Sequence, residues 1–168
     1  MNKHLAVVVL AAGAGTRMKS STAKVLHPLA GLSLIEHVLA TARALEPARL
    51  ITVLKHQQAE IEQALNGVSS DVKFVTQSET PGTGAAVESA IEQLADFNGA
   101  VVVLSGDVPL MDVQTLNQLI DSHLESTSQV SLLTARLDDP SGYGRVIENS
   151  GKVSIVEHRD CSDEQLQL

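Results

Sequence analysis

Short apolar runs alternate with segments of helical periodicity along most of the chain. The runs are rich in β-branched residues, as buried parallel strands are, and they lie at residues 5–10, 50–54, 72–76 and 101–104. Between and after them, apolar residues recur at helical spacing, at residues 34–45, 59–65, 85–94 and 113–125. This alternation predicts an α/β domain with a mostly parallel central sheet and helices on both faces.

The C-terminal part of the chain has a different pattern. We predict a fifth strand at 130–135, and a hairpin formed by 145–148 and 152–157. Residues 149–151 read Asn-Ser-Gly, which favours a tight turn between the hairpin strands. The polar segment 160–168 has neither a strand pattern nor a clear helix end, so we expect the chain to be part of a longer domain.

The first predicted strand ends in a glycine-rich loop. Residues 10–18 read L-A-A-G-A-G-T-R-M, where Gly13 and Gly15 can adopt positive φ and let an anion approach the backbone. Arg17 and Lys24 add positive charge. The spacing fits neither the dinucleotide-binding fingerprint nor the P-loop. We interpret the stretch as a phosphate site, and the alternative is a tight turn whose charges are solvated.

Two more loops follow predicted strands. Residues 77–84 read Q-S-E-T-P-G-T-G, and residues 105–110 read S-G-D-V-P-L, with Asp107 at a strand end. Ligands of open α/β sheets bind outside the carboxyl ends of the strands, so we expect all three loops to meet at one crevice.

The residue types in these loops indicate nucleotidyl transfer. Mg²⁺ commonly takes one or two carboxylates and completes its coordination with water and phosphate oxygens, so Asp107 can serve as its protein ligand. Attack on an α-phosphate needs positioning and charge neutralisation, for which Arg17 and Lys24 are suited. The alternative for Asp107 is a turn residue that accepts hydrogen bonds from nearby backbone N–H groups.

Composition excludes several other classes of function. The chain has 12 basic and 20 acidic residues and a formal charge of −8, so we expect no nucleic-acid partner. No apolar run approaches the roughly 20 residues that span a bilayer, so we expect no membrane association and a cytoplasmic location. A single cysteine, Cys161, excludes an internal disulfide and a cysteine-based zinc site.

Several motifs carry a resemblance to a known family. Besides the three loops, the chain has K-V-L-H-P-L-A-G at 24–31, L-D-D-P-S-G-Y-G-R at 137–145 and I-V-E-H-R-D at 155–160. In these motifs it resembles the sugar nucleotidyltransferases (pyrophosphorylases), and more narrowly the bacterial bifunctional N-acetylglucosamine-1-phosphate uridyltransferases and glucosamine-1-phosphate acetyltransferases. The resemblance covers essentially the whole chain.

The resemblance implies a Rossmann-like nucleotidyltransferase fold and a specific reaction. UTP and N-acetylglucosamine 1-phosphate would give UDP-N-acetylglucosamine and pyrophosphate with Mg²⁺, supplying peptidoglycan and lipopolysaccharide synthesis. Residues 1–168 would be the N-terminal part of the uridyltransferase domain, without the left-handed β-helix that carries acetyl transfer. That β-helix also provides most of the family's trimer contacts, so the oligomeric state is left open.

Roles of individual residues follow from the same resemblance. The nucleotide would be bound by Leu10, Ala11, Ala12, Gly13, Gly15, Lys24, Gln77, Gly82 and Thr83, the last three reading uracil. Arg17 and Lys24 would be the catalytic residues that face the phosphates, and Asp107 would be the metal ligand. The sugar would be bound by Ser105, Gly106, Gly144 and Glu157.

The sequence departs from the family pattern at three positions. Ala23 replaces the proline before the lysine, Ala85 replaces the histidine after the second glycine loop, and Ser105 replaces the tyrosine before Gly-Asp. These differences leave two alternatives open. One is a related sugar-phosphate nucleotidyltransferase with another base or sugar, and the other is a nucleotide-binding fragment without turnover.

Overall fold

The computed structural model describes residues 4–168, apart from the side chain of Arg17. The chain divides into two compact units, the first ending at Ser128 and the second beginning at Gln129. We describe each unit by itself. In the described residues no helix combines the length and the apolar character that crossing a membrane requires.

A parallel sheet forms the centre of the first unit. Its strands are β1 (Leu5–Leu10), β4 (Arg49–Leu54), β5 (Val72–Thr76) and β6 (Ala100–Ser105), in the order β5-β4-β1-β6. A short antiparallel pair, β2 (Pro28–Leu29) and β3 (Leu32–Ser33), lies between β1 and the first helix in the chain. The pattern of apolar runs predicted the four parallel strands, but it did not predict this small hairpin.

The described residues of the first unit form four α-helices. They are α1 (Leu34–Ala44), α2 (Gln58–Ala64), α3 (Thr83–Glu88) and α4 (Val113–Glu125). Ser33 begins α1 with a capping box, and the Asp112 carboxylate accepts a hydrogen bond from the Thr115 amide at the start of α4. The helix predicted at 85–94 is shorter, since α3 ends at Glu88 and a separate 3₁₀ turn covers Ile91–Leu94.

Apolar helix residues cover both faces of this sheet. One face carries Leu5, Val7 and Val9 of β1, which pack in one cluster with buried residues of α1, α2 and α4. The opposite face carries Val8, which clusters with residues of β4 and with Ala86 of α3. The predicted α/β architecture, with a mostly parallel central sheet and helices on both faces, is therefore confirmed.

The second unit contains a hairpin and a short helix. Its strands β7 (Arg145–Asn149) and β8 (Lys152–Val156) are antiparallel and are followed by α5 (Asp163–Leu166). The hairpin matches the prediction. The predicted strand at 130–135 is wrong, because 129–137 has no regular secondary structure and Val130 is 73% exposed. A strand needs a hydrogen-bonded neighbour, and β-branched residues alone do not supply one.

Candidate functional site

Hydrogen bonds beyond the strand ends hold the three predicted loops together. The Ala11 amide donates to the Val53 carbonyl at 2.9 Å, and the Gly106 amide donates to the Leu10 carbonyl at 2.8 Å. The Gln77 amide donates to the Leu54 carbonyl at 2.7 Å. The loops after β1, β5 and β6 therefore begin at the same edge of the sheet, as expected for carboxyl ends of parallel strands.

A cavity of about 330 Å³ lies between the first and second glycine loops. Its lining includes six of the residues predicted to bind the nucleotide, namely Leu10, Ala12, Gly13, Gln77, Gly82 and Thr83. Ala11 is buried beneath the loop instead of lining the cavity. Two loops about 60 residues apart in the sequence thus line the same cavity. The pattern of strands predicted only that they lie at the same edge of the sheet.

Gly15 fits the first loop closely to Lys24. Its φ of 61° is in the left-handed region, and a Cβ at this position would lie 2.7 Å from the Cβ of Lys24. Gly13 has no positive φ and no atom within 4 Å of such a Cβ, so the conformational freedom predicted for both glycines is used at Gly15. A side chain at Gly15 would displace the lysine backbone.

Lys24 connects the first loop to the third. Its Nζ atom donates a hydrogen bond to Oδ2 of Asp107, and the two side chains form a half-buried ion pair. Lys24 begins the 3₁₀ turn Lys24–Leu26, and Val25 of this turn is buried in the core. Ala23, which precedes the turn, has a φ of −51°. The phosphate-binding lysine and the metal-binding aspartate predicted from sequence are therefore in direct contact.

The second glycine loop is held by a buried glutamine. Gln77 is 8% exposed, and its Nε2 donates to the carbonyl of Thr80 at 2.9 Å and to that of Gly82 at 3.3 Å. Gly82 has a φ of 110°, which favours glycine, and Thr83 begins α3 directly after it. Gln77 therefore fixes the backbone shape of the segment predicted to read the base.

Two titratable side chains of the cavity wall were not predicted from the sequence. Lys55 and His56 follow β4 directly and line the cavity. The Nζ atom of Lys55 donates to the Ser78 carbonyl at 2.9 Å and lies 3.4 Å from the carboxylate of Glu79. A lysine at the carboxyl end of a strand is a sequence feature that could have indicated a site residue. Its place at this cavity depends on the strand order, which puts the end of β4 next to that of β1.

The remaining predicted site residues fall in three places. Arg17 lies in the turn Thr16–Met18, and its side chain is outside the described structure. Ser105 and Gly106 lie at the end of β6, where a Cβ on Gly106 would come within 3.0 Å of the Leu10 carbonyl oxygen. Gly144 and Glu157 belong to the second unit.

Within the second unit, Gly144 and Glu157 are brought close together. A Cβ on Gly144 would lie 3.2 Å from the carbonyl oxygen of Val156, the residue that precedes Glu157. The Asp139 carboxylate lies at the start of the same loop, and hydrogen bonds from Ser141 lower its pKa, with a smaller effect from the positive charge of Arg145. The two predicted sugar-binding residues thus share one end of the hairpin.

The described residues contain no cluster of three or more carboxylate, histidine or cysteine side chains suited to a metal ion. Asp107 alone can offer one carboxylate, and the ion pair with Lys24 occupies one of its oxygen atoms. A cation here would therefore need most of its ligands from a bound phosphate group and water, which is how Mg²⁺ is commonly held at nucleotides.

Several curated proteins similar to this chain share one name. It is 54% identical to the "Bifunctional protein GlmU" of Synechococcus sp. (strain RCC307), over 96% of this chain and 36% of that protein. It is 50% identical to the "Bifunctional protein GlmU" of Clavibacter sepedonicus, over 98% of this chain and 34% of that protein. The chain spans about a third of the length of these relatives.

Comparison with solved structures and family models agrees with the architecture. A Bacillus anthracis structure described as a putative "Glucose-1-Phosphate Thymidylyltransferase" superposes with a TM-score of 0.77 at 18% identity, covering 92% of this chain and 64% of that one. At this identity the likeness shows the fold alone. The model of the MobA-like NTP transferase domain matches residues 7–146, which include all three loops. The chain belongs to the family of MobA-like NTP transferase domains.

Proposed function

We propose that this chain takes part in transfer of a uridylyl group from UTP to N-acetylglucosamine 1-phosphate. The observation that carries the proposal is the cavity between the two glycine loops, at the end of a parallel sheet where Lys24 and Asp107 meet. The names of the relatives support a sugar-nucleotide enzyme, and the residue motifs support the choice of UTP.

The proposed reaction is an in-line displacement at phosphorus. A phosphate oxygen of the sugar phosphate forms a bond to the α-phosphorus of UTP, and the bond from that phosphorus to the bridging oxygen of the β-phosphate breaks. Pyrophosphate leaves with the electron pair of the broken bond. Because no protein nucleophile is needed, the side chains serve to position phosphates and neutralise their charge.

Lys24 and Arg17 are the proposed catalytic residues. In this arrangement the Lys24 ammonium would leave Asp107 and bind the phosphates of UTP, since Gly15 holds the lysine backbone at the loop. Arg17 follows Gly15 by two residues in the same loop. Leu10, Ala11 and Ala12 would shape the floor of the nucleotide site, and Gly13 would let the ligand approach the backbone.

The residues fit a magnesium ion that arrives with the nucleotide. Asp107 would hold Mg²⁺ through a carboxylate oxygen, and phosphate oxygens of UTP and water would supply its other ligands. When bound, the ion would neutralise phosphate charge and make the α-phosphorus more open to attack. The chain's own part is to keep Asp107 at the end of β6, which the Gly106 amide ties to Leu10.

The base and the sugar are assigned to separate segments. Gln77, Gly82 and Thr83 would face uracil, supported by their position on the cavity wall. Ser105, Gly106, Gly144 and Glu157 would contact N-acetylglucosamine. We further propose a cytoplasmic enzyme in cell-wall and lipopolysaccharide precursor synthesis, with residues 1–168 as the N-terminal part of the uridyltransferase domain.

The test is release of pyrophosphate from UTP, Mg²⁺ and N-acetylglucosamine 1-phosphate, together with a titration of UTP alone. We expect turnover, and a fall on the order of 10²-fold in Lys24→Ala and in Arg17→Ala. Lys152→Ala, at an exposed position on β8, is the control and should match the wild type.

Each alternative has its own outcome in this assay. Binding of UTP without pyrophosphate release would favour the nucleotide-binding fragment. Turnover with another sugar phosphate or another nucleoside triphosphate would replace the substrate assignment. Unchanged turnover in both alanine variants would remove Lys24 and Arg17 from the mechanism.

A further inference from the structure

Arg145 is a buried arginine of the second unit that the proposed mechanism leaves without a role. It begins β7 and is 6% exposed, which is unusual for a charged residue. Among the described residues no carboxylate lies within ion-pair distance of it, although, besides hydrogen bonds from Ser141, its charge lowers the pKa of Asp139, and its Nε atom has no hydrogen-bond partner. A buried charge is costly unless hydrogen bonds compensate it, so the partners of the guanidinium group indicate what this arginine does.

The guanidinium group instead binds three backbone carbonyls. Nη1 donates to the Tyr143 carbonyl at 2.6 Å and to the Pro140 carbonyl at 3.0 Å, while Nη2 donates to the Leu166 carbonyl at 3.3 Å. One planar group thus ties the loop before β7 to the end of α5. Lysine could not reproduce this, because its ammonium is a single point with no fixed fork of donors.

Apart from Arg145, the loop is ordered mainly by short-range hydrogen bonds within it. Tyr143 lies between Gly142 and Gly144 and is 63% exposed. Gly142 has a φ of 81°. Glycines on both sides give this segment many accessible conformations. The Tyr143 amide donates to the Pro140 carbonyl at 3.1 Å, and the same two residues supply the carbonyls that Nη1 binds.

We propose that Arg145 is a positioning residue that fixes the 140–144 loop so that Gly144 presents its backbone to the sugar phosphate. Gly144 is packed against the Val156 carbonyl, next to Glu157, so a small shift of the loop would change the spacing of both sugar-binding residues. This inference rests on the proposed function for the identity of the sugar. The anchoring of the loop does not depend on it.

The chain offers a direct probe of this loop. Tyr143 is the single tyrosine and tryptophan is absent, so fluorescence excited in the tyrosine band reports on this loop alone. Arg145→Gln should lower the fluorescence anisotropy of Tyr143 without any substrate, and Arg145→Lys should lower it less. The exposed Arg136→Gln, in the same unit, is the matched control and should leave it unchanged.

Binding is measured on the same variants. We expect Arg145→Gln to weaken binding of N-acetylglucosamine 1-phosphate by about tenfold or more, measured with Mg²⁺ and the α,β-methylene analogue of UTP, whose carbon bridge prevents turnover. Binding of UTP alone should change by less than about twofold, and Arg145→Lys should restore part of the sugar-phosphate affinity. A merely structural role would weaken both ligands together.

Two results would overturn the inference. Unchanged anisotropy in Arg145→Gln and Arg145→Lys would show that the arginine does not hold the loop. Equal weakening of UTP and sugar phosphate would show that its effect is not local to the sugar. A wild-type protein that fails to bind the sugar phosphate while Arg145→Gln still lowers the anisotropy would overturn the proposed substrate and leave the anchoring standing.

Discussion

Lys24 has two possible partners in the proposed reaction, the Asp107 carboxylate and the phosphates of the nucleotide. Without a ligand it neutralises Asp107, the residue that a cation would need. The lysine and a metal ion therefore compete for the Asp107 carboxylate when no nucleotide is bound. Once a triphosphate binds, the lysine can pair with its phosphates and the metal ion can pair with Asp107. Because Gly15 packs against Lys24, the lysine backbone can stay in place while its side chain rotates from Asp107 to the phosphates.

Replacing Lys24 should separate metal binding from catalysis. Lys24→Met removes a half-buried ion pair of a kind worth about 0.2–1 kcal/mol, so affinity for Mn²⁺ alone should rise by about 1.4- to fivefold. Turnover should fall on the order of 10²-fold in the same variant. Electron paramagnetic resonance of free Mn²⁺ measures the first effect, with Lys152→Met as control. A Mn²⁺ affinity that does not rise would argue against the competition.

Ala23 stands where the related family has proline, and its backbone already suits one. Its φ of −51° lies within the range that proline imposes. Ala23→Pro should raise the free energy of unfolding by about 0.4–1 kcal/mol through a smaller unfolded-state entropy. Ala30→Pro is the opposing control, because Ala30 has a φ of 49° that proline cannot adopt. Chemical denaturation measures both, and destabilisation by Ala23→Pro would contradict the expectation.

At the scale of single elements, α1 depends on its N-terminal cap. The Ser33 amide and hydroxyl both donate to Oε2 of Glu36, at 2.7 and 2.6 Å, and the Glu36 amide donates back to the serine hydroxyl. The hydrogen bonds from Ser33 hold the pKa of Glu36 below its ordinary value of 4.5. A lowered folded-state pKa stabilises the fold above the unfolded-state value, and this contribution is lost as the pH falls through the folded-state pKa.

Glu36→Gln should therefore have a pH-dependent cost. At neutral pH the variant should be less stable than the wild type by about 0.5–1 kcal/mol, because it loses a charge-assisted cap. The difference should shrink as the pH falls below 4.5. Denaturation curves at several pH values measure this, with the exposed Glu92→Gln as control. A constant difference across that range would mean that the Glu36 charge does not contribute.

The sequence could predict those elements whose signals are local. Burial of β1 and β4, the capping of α1 and the turn of the second hairpin all follow from neighbouring residues. The strand expected at 130–135 failed because pairing depends on a distant partner. The cavity role of Lys55 was missed for the same kind of reason, since strand order is set by packing across the whole unit.

At the scale of the whole molecule, a chain with a formal charge of −8 carries a concentrated basic segment beside its cavity. Arg17, Lys19 and Lys24 lie within eight residues, and Lys55 joins the cavity from another strand. An acidic protein that gathers positive charge at one sheet edge provides a local site for a polyanion instead of a broad binding surface. This distribution agrees with a triphosphate ligand.

The central claim is that the α-phosphate of UTP is transferred to the sugar phosphate. The most direct measurement uses UTP labelled with radioactive phosphorus at its α-phosphate, mixed with N-acetylglucosamine 1-phosphate and Mg²⁺, with products separated by chromatography. We expect the label to appear in UDP-N-acetylglucosamine, while the released pyrophosphate is unlabelled. Label that remains in UTP or appears in UMP, with no labelled sugar nucleotide, would contradict it.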